Sequence, residues 1–164
     1  MARDKKLARR KQAWIVFEDE FNWVRISIAA ALAYRWDAAR TRLYFQTRAG
    51  SYNEESLIEF VRELHCHFRG RQVILLWDGL PSHRSRLMSE FLQGHWLQVR
   101  RVPSYAPELN PVEGLWANLK GREPANRCET QVQRLAWVAQ AGADGLRSYR
   151  HLQLAFLRHT GLQL

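Results

Sequence analysis

The chain has 164 residues, 46% of them hydrophobic, with seven tryptophans and seven phenylalanines, so it is long and apolar enough for one folded domain and is not a disordered protein. Its 25 lysines and arginines outnumber 16 acids, giving a net charge of +9, and such a surface favours a polyanion, most simply nucleic acid. Two cysteines exclude a disulfide framework. No run approaches the ~18 apolar residues of a membrane span, so we expect a cytoplasmic protein without a membrane partner.

The N-terminal third of the chain predicts three successive strands. Residues 1–12, MARDKKLARRKQ, are basic and predict an arm or the end of a charged helix, which leaves 13–164 as the main domain. AWIVFEDE follows and is typical of a buried strand that ends in acids. Residues 25–34 and 42–47 also have strand character, and the polar connection between them suits a hairpin. Together these segments predict an antiparallel meander.

The middle of the chain alternates helices and strands. Apolar residues recur at helical spacing from Asn53, a plausible N-cap, to Phe68, and Gly70 ends that helix. QVILLW (72–77) is a continuous apolar run, typical of a central strand covered on both faces. Residues 82–94 predict a second helix, with Leu87, Met88, Phe91 and Leu92 on one side and Gly94 at its end. Residues 96–102 predict a further strand.

The last part of the chain is helical. One helix starts near Glu113, and residues 129–141 and 146–159 predict two more. The order β-β-β-α-β-α-β-α with helices at the end predicts a mixed α/β sheet of about five strands covered on both faces. This is the element order of the ribonuclease H-like fold.

Three acids fall at the ends of predicted elements. Asp19 ends the first strand, Asp78 directly follows the fourth, and Glu113 starts the helix after the fifth. Functional groups of mixed α/β sheets cluster beyond the carboxyl ends of strands, so the three carboxylates are expected to converge. Converging carboxylates need a cation, and Mg²⁺ prefers oxygen ligands. Glu18 or Glu20 remains an alternative to Asp19 as the inward acid.

Glu113 also has a purely structural interpretation. Asn110 is a good N-cap, Pro111 suits the first helical position, and Glu113 then falls where its carboxylate can reach back to the cap amide. Asp78 similarly suits the start of a turn before Pro81. Each acid alone fits a structural role, and only their joint placement favours a metal site.

VFEDE, LLWDGLPSH and YAPELNPVEGLWANLK resemble the three catalytic blocks of the DDE transposases of bacterial insertion sequences related to the mariner group. The 34 residues between Asp78 and Glu113 match that group's spacing. The resemblance covers roughly residues 13 to 160. It implies a ribonuclease H-like domain that nicks transposon ends with Mg²⁺ or Mn²⁺ in a two-metal site and joins the 3′ hydroxyl to target DNA. Asp19, Asp78 and Glu113 match the family's metal-binding triad.

Further residues are candidates for DNA contacts. His83 matches a histidine that the family often has after its second Asp, where it would contact a phosphate or the outer shell of the site; a surface histidine is the alternative. Basic residues near the second and third acids are candidates for phosphate contacts, with solvated charges as the alternative: Arg84, Arg86, Arg100, Arg101, Lys120 and Arg122.

The chain departs from the resemblance in two places. About a dozen residues precede the first strand, too few for the helix-turn-helix modules that such transposases usually carry, so we expect an N-terminally truncated form. A segment rich in Trp, Gly and Pro that commonly separates the first two strands is also missing, and a tight hairpin must replace it. We expect a homodimer or an assembly with a separate DNA-binding chain. The alternatives are an inactive remnant that binds DNA or a transposase, and a host nuclease such as a junction resolvase.

Overall fold

The computed structural model describes residues 2–23, 26–93, 96–103, 106–120, 132–162 and 164. Its elements, in chain order, are α1 (Ala2–Lys11), β1 (Trp14–Trp23), β2 (Ile26–Arg35), β3 (Thr41–Ala49), α2 (Glu54–His67), β4 (Val73–Trp77), a 3₁₀ turn (Pro81–Arg84), α3 (Arg86–Phe91), β5 (Leu97–Arg101), a second 3₁₀ turn (Pro107–Leu109), α4 (Val112–Lys120), α5 (Val132–Ser148) and α6 (Arg150–His159).

The five strands form one mixed sheet in the order β3-β2-β1-β4-β5. β1 pairs antiparallel with β2, and β2 pairs antiparallel with β3, as a meander requires. β4 lies parallel to both β1 and β5, joined through helical crossovers. The predicted mixed α/β sheet with helices on both faces is therefore confirmed, and the first and fourth strands are parallel neighbours within it.

Alternating side chains of the sheet enter two separate cores. On what we call the α4 face, Phe17 of β1 and Leu76 of β4 pack with residues of α4, α5 and α6. On the opposite side, the α2 face, Val16 and Leu75 pack with α2 and α3. Because successive strand residues point to opposite faces, the parity of a residue within β1 or β4 determines which face it serves.

Small side chains in β2 let α2 lie close to the sheet. Ala29, Ala31 and Ala33 are fully buried on the α2 face, against bulky residues of α2 such as Leu57 and Phe60. Alanine adds little thickness to this side of the strand, so the larger helix side chains fill the space.

The expectation that Asp19 ends the first strand is wrong. β1 continues to Trp23, because its antiparallel pairing with β2 extends from Trp14–Arg35 to Trp23–Ile26. The parallel pairing with β4 ends earlier, at Phe17–Leu76. Asp19 therefore lies inside the β1–β2 hairpin but just beyond the last pair with β4, at the end of the parallel part of the sheet.

The predicted helix over residues 82–94 is shorter than expected. Pro81 begins a 3₁₀ turn, and α3 starts only at Arg86, after Ser85 adopts an extended conformation and caps the Met88 amide at 3.0 Å. Leu87, predicted on the buried side, is 42% exposed, whereas Met88 is fully buried. Gly94, predicted to end the helix, lies outside the described residues.

The boundary between the last two helices also differs from the prediction. α5 runs through to Ser148 and α6 begins at Arg150, so the chain breaks near Tyr149 and not at residues 142–145. Gly142 lies within α5, where a Cβ would be 2.7 Å from the Leu119 side chain, so the absence of a side chain serves packing. Residues 129–131 lie outside the described part of the chain.

The basic N-terminal segment forms a helix, the second of its two predicted alternatives. Ala8 of α1 is fully buried in the core of the α4 face, so this helix packs against the sheet. None of the helices in the described residues is long and apolar enough to cross a membrane.

Candidate active site

The parity of β1 separates three consecutive acids. Asp19 shares the parity of Phe17 and points to the α4 face, whereas Glu18 and Glu20 share that of Val16 and point to the α2 face. Of these three acids, only Asp19 therefore lies on the side from which α4 approaches.

Asp78 follows β4 directly and lines the same cavity as Asp19. β4 and β1 are parallel neighbours whose last pair is Phe17–Leu76, so both acids stand two residues beyond that pair. The carboxyl ends of adjacent parallel strands meet at one edge of the sheet, which places the two side chains together. Asp78 also accepts the Leu80 amide at 3.0 Å, the turn role considered for it, and its side chain remains 44% exposed.

Glu113 lies in the first turn of α4, which β1 holds in place. Asn110 caps the helix by accepting the Val112 amide at 3.1 Å, as predicted, and its Nδ2 donates to the Glu18 carbonyl at 3.4 Å. The predicted reach-back of Glu113 to the cap amide is wrong, because the Asn110 amide donates to the Pro107 carbonyl at 2.8 Å. The Glu113 side chain is instead exposed and lines the cavity.

Asp19, Asp78 and Glu113 line one open cavity of about 440 Å³. Arg84, the cap Asn110 and a wall of small or apolar residues complete its lining. Segments from β1, from the end of β4 and from the start of α4 thus contribute one acid each. This arrangement gives the cavity acidic walls beside one exposed arginine.

Trp116 and burial determine the charge of Asp19. Burial raises the pKa of Asp19 to about 7, and the negative charges of Glu113 and Glu20 add to this effect. The Trp116 indole N–H opposes the rise by donating to Oδ2 at 3.0 Å, and the Glu20 amide donates to Oδ1 at 3.0 Å. Trp116 is one of the apolar residues at helical spacing in α4, and periodicity could not have revealed its polar contact.

His83 is a buried residue that joins the two faces of the sheet. Its Nδ1 lies 2.9 Å from Asp78 Oδ1, and its Nε2 lies 3.0 Å from Glu20 Oε1. Burial lowers the pKa of His83, but the hydrogen bonds to Asp78 and Glu20 and the charge of Glu18 outweigh this effect and raise it to about 10. Burial alone would raise the pKa of Asp78; the hydrogen bonds from His83 and Leu80 lower it below its ordinary value. The alternative of a surface histidine does not hold.

The predicted basic residues lie in different places. Arg84 lines the cavity, but Arg86 pairs with Glu90 at 2.7 Å on α3. Arg100 lies 3.4 Å from Asp4 of α1, Arg101 is exposed at the end of β5, and the Lys120 ammonium lies 4.3 Å from the Phe21 ring centre. Arg122 lies outside the described residues. The described structure therefore brings one of these six cations into the acidic cavity.

A second group of ligand-type side chains lies on the α2 face. Among the described residues, Glu18, Glu20 and His83 are the three whose potential ligand atoms all lie within 4.8 Å of one another. Asp19, Asp78 and Glu113 line one cavity, but their potential ligand atoms do not all lie within 4.8 Å of one another. The sequence signal for this second group is the tripeptide EDE within a strand. Successive strand side chains point to opposite faces, so Glu18 and Glu20 lie on the same face of the sheet.

Comparison with known proteins identifies the family. Residues 8–135 match the family model described as DDE superfamily endonuclease, which covers more than half of the chain. The chain belongs to the DDE superfamily endonuclease family. The match confirms that the three sequence blocks indicate a DDE endonuclease domain. No match was found among the curated proteins.

Solved structures show what this DDE endonuclease domain shares with others. The catalytic domain of Mos1 mariner transposase is similar with a TM-score of 0.58 and 16% identity, over 99% of this chain and 91% of that one. The Mos1 mariner paired end complex with Mn is similar with a TM-score of 0.62 and 18% identity, over 98% of this chain and 54% of that one. The catalytic core domain of BIV integrase has a TM-score of 0.57 and 13% identity, over 80% of this chain and 82% of that one. These similarities confirm the ribonuclease H-like fold.

Proposed function

We propose that this chain is a transposase catalytic domain that nicks DNA at transposon ends and joins the free 3′ hydroxyl to target DNA, with Asp19, Asp78 and Glu113 as metal ligands. The observation that carries the proposal is the shared cavity. Three acids from distant parts of the sequence line it, in a chain of net charge +9 that belongs to a DDE endonuclease family.

The side chains around the cavity fit Mg²⁺ or Mn²⁺. Both are hard ions that prefer carboxylate oxygens and keep positions open for water and phosphate. Burial and the charges of Glu113 and Glu20 disfavour a bare anion at Asp19, and a cation between Asp19 and Glu113 would relieve this repulsion. We assign two ions to the site, because a bound pair would activate the attacking hydroxyl and stabilise the leaving oxygen of a phosphodiester.

Neighbouring residues orient the proposed ligands. Trp116 and the Glu20 amide donate to the two oxygens of Asp19, and His83 contacts Oδ1 of Asp78, so hydrogen bonds from the protein orient both carboxylates. Arg84 is exposed on the cavity wall, where its guanidinium suits a DNA phosphate. Arg84 is accordingly the basic residue that we assign to the scissile region of the substrate.

The remaining basic surface would bind DNA through its backbone. Exposed cations such as Arg100 and Arg101 can contact phosphates, which positions a duplex without reading its sequence. We therefore expect binding to weaken steeply with salt and to show little sequence preference. Recognition of a particular transposon end would come from a second copy of this chain or from a separate DNA-binding chain. The protein would act in the bacterial cytoplasm.

Metal-dependent nicking of a labelled duplex tests this proposal. The wild type should nick DNA with Mg²⁺ or Mn²⁺ and not with EDTA. Asp78→Asn and Glu113→Gln should each lower the rate by at least about 100-fold, because loss of even an outer partner of a metal ligand costs 10- to 100-fold. Glu108→Gln is the matched control, since Glu108 is an exposed acid near Glu113 that does not line the cavity.

Equal rates for Asp78→Asn and wild type would refute the site assignment. Absence of nicking by a folded wild type, with DNA binding retained, would favour the inactive remnant. Substrates that carry a transposon end or a scrambled sequence then separate the remaining alternatives. Joining of a 3′ hydroxyl to target DNA indicates a transposase, whereas cleavage of branched DNA alone would indicate a host nuclease.

A further inference from the structure

We propose that Glu18, Glu20 and His83 form a second cation site, distinct from the cavity of Asp19 and Glu113, and that it takes a transition-metal ion such as Zn²⁺. The site lies on the α2 face of the sheet, whereas the cavity lies on the α4 face. It does not depend on the proposed nuclease activity.

The spacing of the three side chains suits one ion. His83 Nε2 lies 3.0 Å from Glu20 Oε1 and 3.8 Å from Glu18 Oε2, and one ligand atom from each residue falls within a 4.8 Å group. Ligands at about 2.0–2.2 Å from a tetrahedral zinc ion are separated by similar distances. Two strand residues and one residue of the Pro81–Arg84 turn therefore present a nitrogen and two carboxylates to a common point.

Unpartnered oxygens point to a missing ligand. Both carboxylate oxygens of Glu18 and Oε2 of Glu20 are buried without a hydrogen-bond partner. The Glu18 side chain is fully buried, so water does not solvate it. A buried carboxylate without partners is costly, and an ion between Glu18 and Glu20 would satisfy these oxygens.

The ring of His83 is already oriented for ligation through Nε2. Nδ1 lies 2.9 Å from Asp78 Oδ1 and 3.2 Å from the Asp78 carbonyl, and the ring stacks on Trp77 at 4.3 Å with an interplanar angle of 1°. Metal-binding histidines usually donate the other ring N–H to a carboxylate or a carbonyl, which fixes the ring. Asp78 supplies both acceptors here, so Nε2 faces the two glutamates, and an ion bound there would replace the proton of the Nε2–Glu20 hydrogen bond.

The mixture of donors distinguishes this site from the cavity. The cavity offers the carboxylates of Asp19, Asp78 and Glu113, which suit Mg²⁺. The second site adds an imidazole, a ligand that suits Zn²⁺ and that hard Mg²⁺ seldom takes. We therefore expect the second site to prefer Zn²⁺ over Mg²⁺.

Zinc binding can be measured with the cavity disabled. The full chain carrying Asp19→Asn and Glu113→Gln, but with Asp78 intact, is titrated with Zn²⁺ against a chromophoric chelator. One ion per chain is expected. Adding Glu18→Gln, or in a separate chain Glu20→Gln, should weaken binding by about 100-fold or more, given that losing an outer partner already costs 10- to 100-fold.

Cys66→Ser is the matched control, because Cys66 is a free, exposed thiol able to bind Zn²⁺ adventitiously. It should leave the affinity unchanged. Thermal unfolding in EDTA shows whether the chain with Glu18→Gln is folded. Adding Zn²⁺ should raise the unfolding temperature of the chain that keeps Glu18 and leave that of the Glu18→Gln chain unchanged. Absence of zinc binding, or equal affinity with and without Glu18→Gln, overturns the proposal. Mg²⁺-dependent nicking by the wild type tests the proposed function separately.

Discussion

Asp19→Asn should stabilise the metal-free domain, and the gain should depend on pH. Burial and the charges of Glu113 and Glu20 raise the pKa of Asp19 from 3.8 to about 7. The folded chain therefore binds a proton that the unfolded chain has released between these pH values. Stability is lost as the pH rises from about 4 to about 7, and the full penalty is present above pH 7.

The size of the effect follows from the two pKa values. One pKa unit corresponds to about 1.4 kcal/mol, so the difference between 3.8 and about 7 amounts to roughly 4 kcal/mol at high pH. At pH 5 the same linkage relation gives a penalty of roughly 1.7 kcal/mol. Asparagine carries no charge at either pH, and its side-chain oxygen can still accept the Trp116 N–H.

Urea unfolding in EDTA at pH 5 and pH 8 measures this difference. The advantage of Asp19→Asn over the wild type should grow by roughly 2.5 kcal/mol between the two pH values. Titrating groups that do not interact with Asp19 are common to both proteins and cancel in the comparison. An advantage that is the same at both pH values would show that Asp19 does not carry a raised pKa. Mg²⁺ should stabilise the wild type alone and so make it more stable than Asp19→Asn.

Three further substitutions test how the fold supports the site. Trp116→Phe removes the indole donor, so NMR titration should give Asp19 a pKa above about 7; an unchanged value would contradict the role of the 3.0 Å hydrogen bond. Gly114→Ala should lower the free energy of unfolding by about 1–3 kcal/mol, because a Cβ would lie 2.6 Å from the Phe156 ring; urea titration checks this. Asn53→Ala removes the capping-box acceptor of α2 and should cost about 1 kcal/mol in the same assay, and a neutral result would refute that cap.

Periodicity predicted the sheet well because each strand is either a continuous apolar run or a clear alternation. β4 is buried along its whole length, and the apolar run 72–77 predicts it almost residue for residue. Helix ends were predicted less well where a residue has two roles. Gly142 falls between two predicted helices, but in the structure it lies within α5 and makes room for Leu119. Contacts between distant residues decide such positions.

The candidate site was predictable as a set of acids but not as a set of contacts. Strand ends and the family resemblance led to Asp19, Asp78 and Glu113, and all three line one cavity. The hydrogen bond from Trp116 to Asp19 spans 97 positions, and no local pattern encodes it. The link from His83 to Glu20 spans 63 positions and was missed for the same reason.

The register of β1 is what assigns the acids to their two sites. A shift by one residue would turn Asp19 to the α2 face and bring Glu18 and Glu20 to the cavity. Both faces of the sheet are apolar, so alternation alone does not specify the register. The pairing of β1 with both neighbours defines it: Phe17 lies opposite Leu32 of β2 and Leu76 of β4, and Asp19 lies opposite Ala30. The position of β1 between β2 and β4 therefore determines which carboxylate faces the proposed nuclease site.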